Sequence, residues 1–493
     1  MGYNTLYDVI VCGGGTSGVA AAIAAARGGA KTLLIERTGT LGGQMSVSGP
    51  PGFAYARLFN PLGERDVGGI VEETYQRLYK SGHALPHLRF PVREKAGYSF
   101  SYVDPDWWTQ LIFDIIDEEK IDLLLDSLVV DVLRDGDNVK GIVVENANGR
   151  NEIKGKTVID CTGEAYVAMQ AGCETACVSR EEIQPHTLSF TVDGVDWPVL
   201  LQYIRSHPDQ FSFKQLLFPH KGANTKEDVI KMYENCYDIT ELGEIMGFYE
   251  LRDMAYSNGD WHPFSGAGFF LTPREGGHIQ AHFQHSSQVD KALPTDAWEI
   301  TQCIRECRRQ NVIAWRFFKN YVPGFKNAYI TRVCTELRLR EGPRIVGDYT
   351  LTRDDVEEAK KFPDSIGKSS FKAGGYHVAS MDTLNAVASL STKDSPESKI
   401  NVKSDLAYPK DGGSYDIPYR CLVPKNIEYL LAAGKCVSTD RPSYLRYLHQ
   451  TMVTGQAAGA AAALAVKKGV APRALEKDIK ELQELLVAQG VIL

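Results

Sequence analysis

The sequence predicts an α/β fold in which a parallel-sheet domain of the dinucleotide-binding type is interrupted by an inserted α+β domain. The first observation is a βαβ opening, with an apolar strand at 7–12, an alanine-rich helix at 17–27 and a second strand at 31–36. The second observation is that the pattern of an apolar strand followed by a helix recurs late in the chain, with the strand at 428–433 and the helix at 451–468. The two ends of the chain are therefore expected to build one domain together.

The middle of the chain has a different character. Aromatic residues, prolines and histidines mix with long helical segments such as 225–238 and 297–320. We therefore assign residues 1–174 and 400–493 to the nucleotide-binding domain and residues 175–399 to an inserted substrate domain.

Further elements of the first domain follow from hydrophobic periodicity. Residues 106–120 have helical spacing, and Asp106 is the expected N-cap. The segments 121–133, 139–145 and 157–163 are predicted strands, since β-branched and other apolar residues dominate them.

Composition excludes several classes of function. The 493 residues suffice for about two or three domains, and the net charge of −8 disfavours nucleic acid as a partner. The ten cysteines are scattered without a C-x-x-C pair, which favours a reducing compartment and argues against a zinc or iron–sulfur site. No signal peptide and no apolar run of about 18 residues is visible, so we expect a cytoplasmic protein without a membrane span.

The strongest motif is a glycine-rich turn placed between the first strand and the first helix. In Gly13-x-Gly15-x-x-Gly18, the first glycine permits the tight turn, the second lets the backbone approach a pyrophosphate, and the third lets the helix pack closely on the strand. Glu36 ends the second strand, 18 residues after Gly18, where a carboxylate accepts hydrogen bonds from the ribose hydroxyls. This fingerprint predicts a dinucleotide but does not separate FAD from NAD.

The segment after Glu36 makes that distinction through a resemblance. It reads Glu36-Arg37-Thr38-Gly39-Thr40-Leu41-Gly42-Gly43-Gln44-Met45-Ser46-Val47-Ser48-Gly49, and it resembles the stretch that runs along the pyrophosphate in glutathione-reductase-like FAD families. The strand ending in Thr162-Gly163, the segment ending in Gly434 and the Gly455-Gln456 pair in the last long helix also resemble FAD-contacting segments of those families.

Together these segments resemble the broad family of bacterial FAD-dependent oxidoreductases. The resemblance implies a Rossmann-like FAD-binding domain, a βαβ three-layer sandwich, with FAD as cofactor. It also implies that the backbone of Val129 contacts the adenine. The alternative is that Val129 is an ordinary residue of the sheet. The predicted cofactor-binding residues are Gly13, Gly15, Gly18, Glu36, Arg37, Gly42, Gly43, Gln44, Ser46, Val129, Thr162, Gly163, Gly434, Gly455 and Gln456.

A further resemblance lies in the middle of the chain, at 340–352. The family usually has Arg-Glu-Ser-Arg-Arg there, and this chain keeps Arg340, Glu341 and Arg344 but has glycine and proline at the third and fourth positions. The two arginines are candidates for binding a substrate carboxylate or for structural pairing with an acidic residue.

The candidate catalytic residues are His377, His449 and Arg446. A flavin performs the redox chemistry, so the protein must place the substrate and handle one proton. His377 lies where relatives often carry Asp-x-His, although Gly375 replaces the aspartate here, and it is either a base or a structural histidine. Arg446 corresponds to a family arginine that would bind an acidic substrate, stabilise charge on the reduced flavin, or form a structural salt bridge.

The histidines of the 280–285 segment are a weaker signal. His282 and His285 would share a face only on a helix, and the surrounding sequence favours a strand without a third ligand. We therefore predict no metal site.

The function expected from these observations is an FAD-dependent oxidoreductase that oxidises or reduces a small organic molecule by hydride transfer at flavin N5. Oxygen, a quinone, a protein or a second substrate could be the electron partner, and the oligomeric state is open. The alternatives are a flavin monooxygenase, for which the usual Asp before Gly434 is replaced by Ala433, and a non-catalytic binding protein on the same fold.

Overall fold

In this computed structural model the chain opens with the predicted βαβ unit, made of β1 (Tyr7–Cys12), α1 (Thr16–Arg27) and β2 (Thr32–Ile35). The two strands pair in parallel. The structure describes residues 2–49, 55–90, 98–211, 226–242, 244–261, 267–373, 407–441 and 445–493.

The other elements of the described residues follow in chain order. The strands are β3 (Leu88–Phe90), β4 (Tyr98–Phe100), β5 (Asp122–Leu124), β6 (Leu128–Asp135), β7 (Asn138–Asn146), β8 (Gly149–Asp160), β9 (Thr175–Ala176), β10 (Phe190–Asp193), β11 (Glu244–Met246), β12 (Gly268–Pro273), β13 (Ile279–Phe283), β14 (Tyr329–Val333), β15 (Arg344–Ile345), β16 (Ser365–Ser369), β17 (Tyr415–Pro418) and β18 (Leu430–Ala432). The α-helices are α2 (Gly69–Lys80), α3 (Pro105–Glu118), α4 (Tyr166–Gln170), α5 (Trp197–Ser206), α6 (Lys226–Glu234), α7 (Tyr249–Ser257), α8 (Ala297–Tyr321), α9 (Arg353–Glu357), α10 (Leu448–Lys468) and α11 (Ile479–Ala488).

The central sheet joins the two ends of the chain. Its strands run in the order β5-β2-β1-β8-β7-β6, and β18 pairs with β8. The pairs β2–β5, β1–β2, β1–β8 and β8–β18 are parallel, whereas β6, β7 and the first half of β8 form an antiparallel meander.

Both faces of the parallel strands are buried, which explains why β1 is apolar without alternation. Val9 and Val11 belong to a core with helices α1 and α10, whereas Ile10 and Cys12 belong to a second core with the β6–β7 meander. Helices, parallel sheet and meander form three layers, which confirms the predicted FAD-binding class of fold.

A third core, the aromatic core, is built on an antiparallel sheet with the order β11-β12-β13-β10-β14. Its centre is aromatic: the rings of Phe190 and Phe283 stack with their centroids 4.5 Å apart, and Phe318 of α8 packs edge-on against Phe283 at 4.7 Å. Such edge and offset contacts add to the free energy of simple burial.

The predicted insertion, residues 175–399, contributes to two different cores, the aromatic core and the core that contains α1 and α10. Residues 190–333 supply the aromatic core, but Leu351, Val356 and Ile366 pack in the core that contains α1 and α10. The chain returns to the core of α1 and α10 because β16 pairs with β17 and β15 pairs with β9. Both pairings join segments that are distant in sequence.

One predicted cap is wrong by two residues. Helix α3 begins at Pro105, and the carboxylate of Asp104 accepts hydrogen bonds from the backbone N–H groups of Asp106 (3.0 Å) and Trp107 (3.4 Å). Asp104 is thus the N-cap in place of Asp106, and Pro105 occupies the first helical position, which proline favours.

No helix among the described residues is both long and apolar enough to cross a membrane.

Helices α1 and α10 pack through small residues at very short range. A Cβ added at Gly459 would lie 2.0 Å from the Ala21 carbonyl oxygen, and one added at Gly455 would lie 2.1 Å from the Ser17 carbonyl oxygen. Only glycine at these positions permits the observed approach of the two backbones.

We therefore expect Gly459→Ala to lower the free energy of unfolding by about 1–3 kcal/mol, because the new methyl group forces the two helices apart. Urea unfolding monitored by circular dichroism measures this change. Gly39→Ala is the matched control, since its Cβ would meet nothing closer than 3.4 Å. Equal stability of the two variants would contradict the close packing of α1 and α10.

Candidate functional site

The glycine-rich turn after β1 is shaped by packing at two of its glycines and is open at the third. Gly13 has φ +102°, and a Cβ there would lie 2.6 Å from the Cys161 carbonyl oxygen. A Cβ on Gly18 would lie 1.7 Å from the Gly13 carbonyl oxygen, whereas a Cβ on Gly15 meets nothing within 4 Å. Gly13 and Gly18 are thus required by the fold, and Gly15 faces space that a ligand can fill.

A second glycine pair lies directly against this turn. The N–H of Gly42 donates to the Gly14 carbonyl oxygen (2.8 Å), and a Cβ on Gly43 would lie 3.1 Å from the Cα of Gly15. Gly42 has φ +109°, which favours glycine. The backbones of the two glycine segments therefore run side by side, and the course of the second segment along the pyrophosphate stays a prediction of the resemblance.

The carboxylate of Glu36 is fixed beside the same turn. One oxygen accepts a hydrogen bond from the Gly14 N–H (2.6 Å), and the other accepts from the backbone N–H and the hydroxyl of Thr38 (3.0 Å each). Glu36 is buried, and the Ser127 N–H, two residues before Val129, donates to its carbonyl oxygen (3.0 Å). This placement brings the predicted ribose and adenine segments together.

Other predicted residues of this stretch lie at its border with the aromatic core domain. Arg37 pairs with Glu336 (2.6 Å), and the Ser46 carbonyl oxygen accepts a hydrogen bond from Arg332. The Ser46 hydroxyl donates to the Gly43 carbonyl oxygen (3.3 Å), and Gln44 occupies the single 3₁₀ turn Gly43–Met45. The second domain therefore holds the segment from outside.

Asp160 organises the turn that contains Thr162 and Gly163. One of its carboxylate oxygens accepts from the backbone N–H (3.0 Å) and the hydroxyl (2.7 Å) of Thr162, and the other accepts from the Ala168 N–H (2.9 Å). Burial raises the pKa of Asp160 above its usual value, and the hydrogen bonds oppose this shift. Gly163 has φ +87° and lies close to Lys435.

The predicted residues near the last helix divide between two kinds of contact. The Gly434 N–H donates to the Thr454 hydroxyl (3.0 Å), and a Cβ on Gly434 would lie 2.7 Å from the Ser17 hydroxyl oxygen. The Gln456 side chain accepts from the Ile70 N–H (3.0 Å) and donates to the Gln489 carbonyl oxygen (3.1 Å). Gln456 therefore has a structural role in this structure, and Gly434 lies at the first turn of α1.

The start of α10 faces the start of α1. The hydroxyls of Thr16 and Thr451 are 2.7 Å apart, which places the two helix N-termini side by side. The N-terminus of α1 is not capped by a side chain of the described residues, so its N–H groups and the positive end of its dipole remain available to an anion.

His449, the second residue of α10, is fully buried, and neither ring nitrogen has a hydrogen-bond partner among the described residues. Burial and the nearby charge of Arg57 lower the pKa of His449 to about 3. The Phe371 ring lies 5.8 Å from the imidazole and 3.7 Å from the Tyr447 ring. His377, the other candidate base, lies outside the described residues.

The predicted arginines separate by their partners. Arg446 donates to the Arg340 carbonyl oxygen (3.1 Å) and to the Gln184 side chain (3.0 Å), so the structure brings Arg340 and Arg446 together. Arg344 donates to the Thr439 carbonyl oxygen (3.0 Å). Gln184 was not predicted, since one glutamine outside a motif carries no sequence signal.

The prediction that both histidines of the 280–285 segment are strand residues is confirmed for His282 and wrong for His285. His282 lies in β13 and is buried, and His285 follows that strand. Among the described residues no group of three or more His, Cys, Asp or Glu side chains could hold a metal ion.

The fold, the open position at Gly15 and the carboxylate of Glu36 define a dinucleotide-binding domain. A sequence model of FAD dependent oxidoreductases matches residues 8–486, and the chain belongs to that family. It is therefore an FAD-dependent oxidoreductase with FAD as its cofactor, and neither alternative, the monooxygenase or the non-catalytic protein, is favoured.

The chain is also similar to individual proteins over part of its length. A digeranylgeranylglycerophospholipid reductase of Picrophilus torridus is 28% identical over 182 residues, which is 36% of this chain and 44% of the relative. The tRNA uridine 5-carboxymethylaminomethyl modification enzyme MnmG of Lactococcus lactis subsp. cremoris is 29% identical over 171 residues, or 34% of this chain and 26% of the relative. The chain thus spans less than half the length of these relatives.

Among solved structures, a geranylgeranyl bacteriochlorophyll reductase-like protein from Thermoplasma acidophilum is similar at 15% identity. Its TM-score is 0.47, and the superposition covers 98% of this chain and 87% of that chain. The flavin-dependent brominase Bmp2 is similar at 12% identity with a TM-score of 0.43, over 97% of this chain and 83% of that chain.

The residues present fit FAD. A Cβ on Gly15 would meet nothing within 4 Å, α1 begins at the next residue without a side-chain cap among the described residues, and the Gly14 N–H fixes the Glu36 carboxylate nearby. A helix N-terminus that can bind the pyrophosphate and a carboxylate that can bind the ribose are what a dinucleotide requires.

We expect Gly15→Val to abolish stoichiometric FAD binding without loss of fold, because its side chain would fill the space left for the pyrophosphate. A Cβ at this position meets nothing within 4 Å, so the flavin-free variant should still fold, and thermal unfolding beside the flavin-free parent checks this. Gly15→Ala provides a graded comparison, and flavin absorbance after gel filtration measures occupancy. Full occupancy in Gly15→Val would refute this placement of the cofactor.

The pKa of His449 leads to a pH-dependence of stability. In the unfolded chain the imidazole binds a proton at its usual value of 6.5, whereas in the folded protein it does so only near 3. The unfolded state therefore binds more protons in this window, and stability is lost as the pH falls from about 6.5 towards 3.

We expect His449→Leu to remove this contribution, which is about 2 kcal/mol between pH 7 and pH 5. Urea unfolding at the two pH values measures it as a smaller loss of stability in the variant than in the parent protein. Met452→Leu, an apolar exchange at a buried position of the same helix, is the control, because it removes no titratable group and should keep the parent difference between pH 7 and pH 5. An identical pH-dependence of His449→Leu and the parent would mean that the imidazole titrates normally.

Proposed function

We propose that this FAD-dependent oxidoreductase transfers a hydride between flavin N5 and a small organic substrate next to the start of α10. The observation that carries the proposal is the position of His449. It is a buried imidazole without a hydrogen-bond partner among the described residues, on the helix whose first turns contact the start of α1. A polar side chain with no partner in such a place is a candidate for contact with a cofactor or substrate.

The protein's part in this reaction is to bind and orient. The N–H groups at the start of α1 and the open backbone at Gly15 would hold the pyrophosphate, and Glu36 would hold the adenosine ribose. Thr162, Gly163 and Gly434 would line the same cofactor site. FAD, when bound, supplies the two-electron chemistry.

His449 would handle the proton that accompanies hydride transfer. Its imidazole is neutral at physiological pH because burial and Arg57 lower its pKa, so it can accept a proton or a hydrogen bond from a substrate hydroxyl or amine. His377 remains the second candidate for the same role. A negative charge of the substrate beside the imidazole would raise the pKa of His449, because it favours the protonated form and opposes the effect of Arg57.

The environment of the enzyme is part of the proposal. The net charge of −8 and the ten cysteines, all of them free in the structure, support a cytoplasmic enzyme that acts on a small molecule rather than on nucleic acid. The electron partner stays open among oxygen, a quinone, a protein and a second substrate.

The test begins with an anaerobic screen of small organic molecules for bleaching of the flavin absorbance. With a substrate in hand, we expect His449→Ala to retain FAD but to slow flavin reduction by roughly 10²–10⁴-fold, as loss of a general base does. Stopped-flow absorbance measures the rate, and His377→Ala is compared in the same way. If His449→Ala reduces flavin at the parent rate, the proton is handled elsewhere.

A further inference from the structure

Two arginines lie together beside the start of α10, and the partners of both are neutral. Arg446 donates to the Arg340 carbonyl oxygen (3.1 Å) and to the Gln184 side-chain oxygen (3.0 Å). The Nε of Arg340 donates to the Pro185 carbonyl oxygen (2.9 Å). Neither guanidinium contacts a carboxylate in the part of the chain that the structure describes.

The nearest acid does not neutralise them. Glu341 is fully buried, and its carboxylate accepts hydrogen bonds from the backbone N–H (2.8 Å) and side chain (2.9 Å) of Gln184 and lies 3.4 Å from Arg441. Gln184 thus uses its amide N–H on Glu341 and its oxygen on Arg446, which keeps the acid and the arginine apart.

Other partly buried arginines of this protein are paired differently. Arg27, for example, lies 2.6 Å from the Glu73 carboxylate and 2.7 Å from that of Glu119. Burying a cation without a counter-charge costs several kcal/mol. Burial, with the charges of Arg446 and Arg338, accordingly lowers the pKa of Arg340 to about 9. An anion between the two arginines would remove this cost.

The arginine pair lies away from the nucleotide turn. Thr451 of α10 contacts Thr16 at the start of α1, and Arg446 precedes Tyr447, the N-cap of α10, so it lies beyond that contact along the helix axis. Pro185 and Gln184 belong to the segment that leads into the aromatic domain. The pair is therefore on the substrate-domain side of the helix end, where the α10 dipole also favours an anion.

Aromatic surface borders the pair. The guanidinium carbon of Arg446 lies 5.7 Å from the centroid of the Tyr447 ring, and that ring packs on Phe371 at 3.7 Å. Phe371 also belongs to a small buried cluster with Phe100, Tyr102 and Phe270. The surroundings thus combine two cations with apolar contact area.

We propose that Arg340 and Arg446 bind an oxyanion of the substrate, a carboxylate or phosphate, and that Gln184 is the positioning residue that orients Arg446. This deepens the proposed function, on which it rests, by giving the substrate class: a small organic acid. Guanidinium groups suit this task because their planar N–H donors match the oxygens of a carboxylate or phosphate in pairs. The pyrophosphate of FAD is an alternative oxyanion partner, which the FAD affinity of the variants distinguishes.

The test uses FAD-loaded parent protein and the variants Arg340→Gln, Arg446→Gln and Arg340→Lys. The control is Arg150→Gln, which removes an exposed charge on the β7–β8 hairpin. Each protein is titrated with sodium benzoate, inorganic phosphate and, as a neutral comparator, benzamide. Flavin absorbance and the thermal unfolding temperature are recorded, since a ligand of the folded state raises that temperature.

We expect at least one oxyanion to raise the unfolding temperature and perturb the flavin spectrum of the parent and of Arg150→Gln. Each glutamine variant should bind that oxyanion roughly 10–100-fold more weakly, as loss of a charged hydrogen-bond partner implies. Arg340→Lys should lie between parent and glutamine variant, and benzamide should act on none of them. The dissociation constant of FAD should stay within about threefold of the parent value, a shift below 1 kcal/mol.

Three results would overturn the proposal. The first is a parent protein that responds to neither oxyanion at tens of millimolar, and the second is an equal response to benzamide. The third is a large loss of FAD affinity in the glutamine variants with an unchanged oxyanion response, which would assign the arginines to the pyrophosphate. Failure of the proposed hydride transfer is seen separately, because it would leave the oxyanion response in place but give no flavin bleaching by any organic acid.

Discussion

The structure depends on the close packing of helix α1, which approaches both its own preceding turn and helix α10. Gly18 permits the first approach, and Gly455 and Gly459 permit the second, since any side chain at these three positions would meet a carbonyl oxygen at 1.7–2.1 Å. The consequence is that two helices from opposite ends of the chain start at the same point, with Thr16 and Thr451 in contact. The cofactor turn and the proposed reaction centre are held at a fixed separation by this packing.

The second domain contacts the second glycine segment from outside. Its segment after β14 runs along the second glycine segment, where the Thr335 N–H donates to the Val47 carbonyl oxygen (3.1 Å) and Arg338 donates to that of Gly49. A stretch of chain that would otherwise be a solvated loop is thereby ordered between two cores. Substrate and cofactor would consequently meet at a boundary between cores, a common location for ligand sites.

Polar and charged side chains of the first domain and of the proposed reaction centre differ in their hydrogen-bond and ion-pair partners. Near the nucleotide passage, charges are paired, as in Lys435 with Glu164 (2.5 Å), or hydrogen-bonded, as in Asp160. Around the start of α10, by contrast, the neutral imidazole of His449 lacks a hydrogen-bond partner and the Arg340 guanidinium donates to a carbonyl oxygen without a carboxylate partner, both within the described residues. Unpaired polar groups are costly to bury, so their concentration in one place points to a functional reason rather than to stability.

The sequence by itself determined the βαβ opening, the glycine turn and the closing helix, because these depend on local conformation and spacing that are written in consecutive residues. Its resemblance to FAD families indicated the cofactor. It also indicated Arg446 and His449 as candidates, although only from their position at a helix start. The partnership of Arg446 with Arg340 and Gln184, the return of residues 345–373 to the first core and the structural role of Gln456 were decided by the tertiary structure. These contacts join residues that are far apart in the chain, and their geometry depends on how α1, α10 and the second sheet pack.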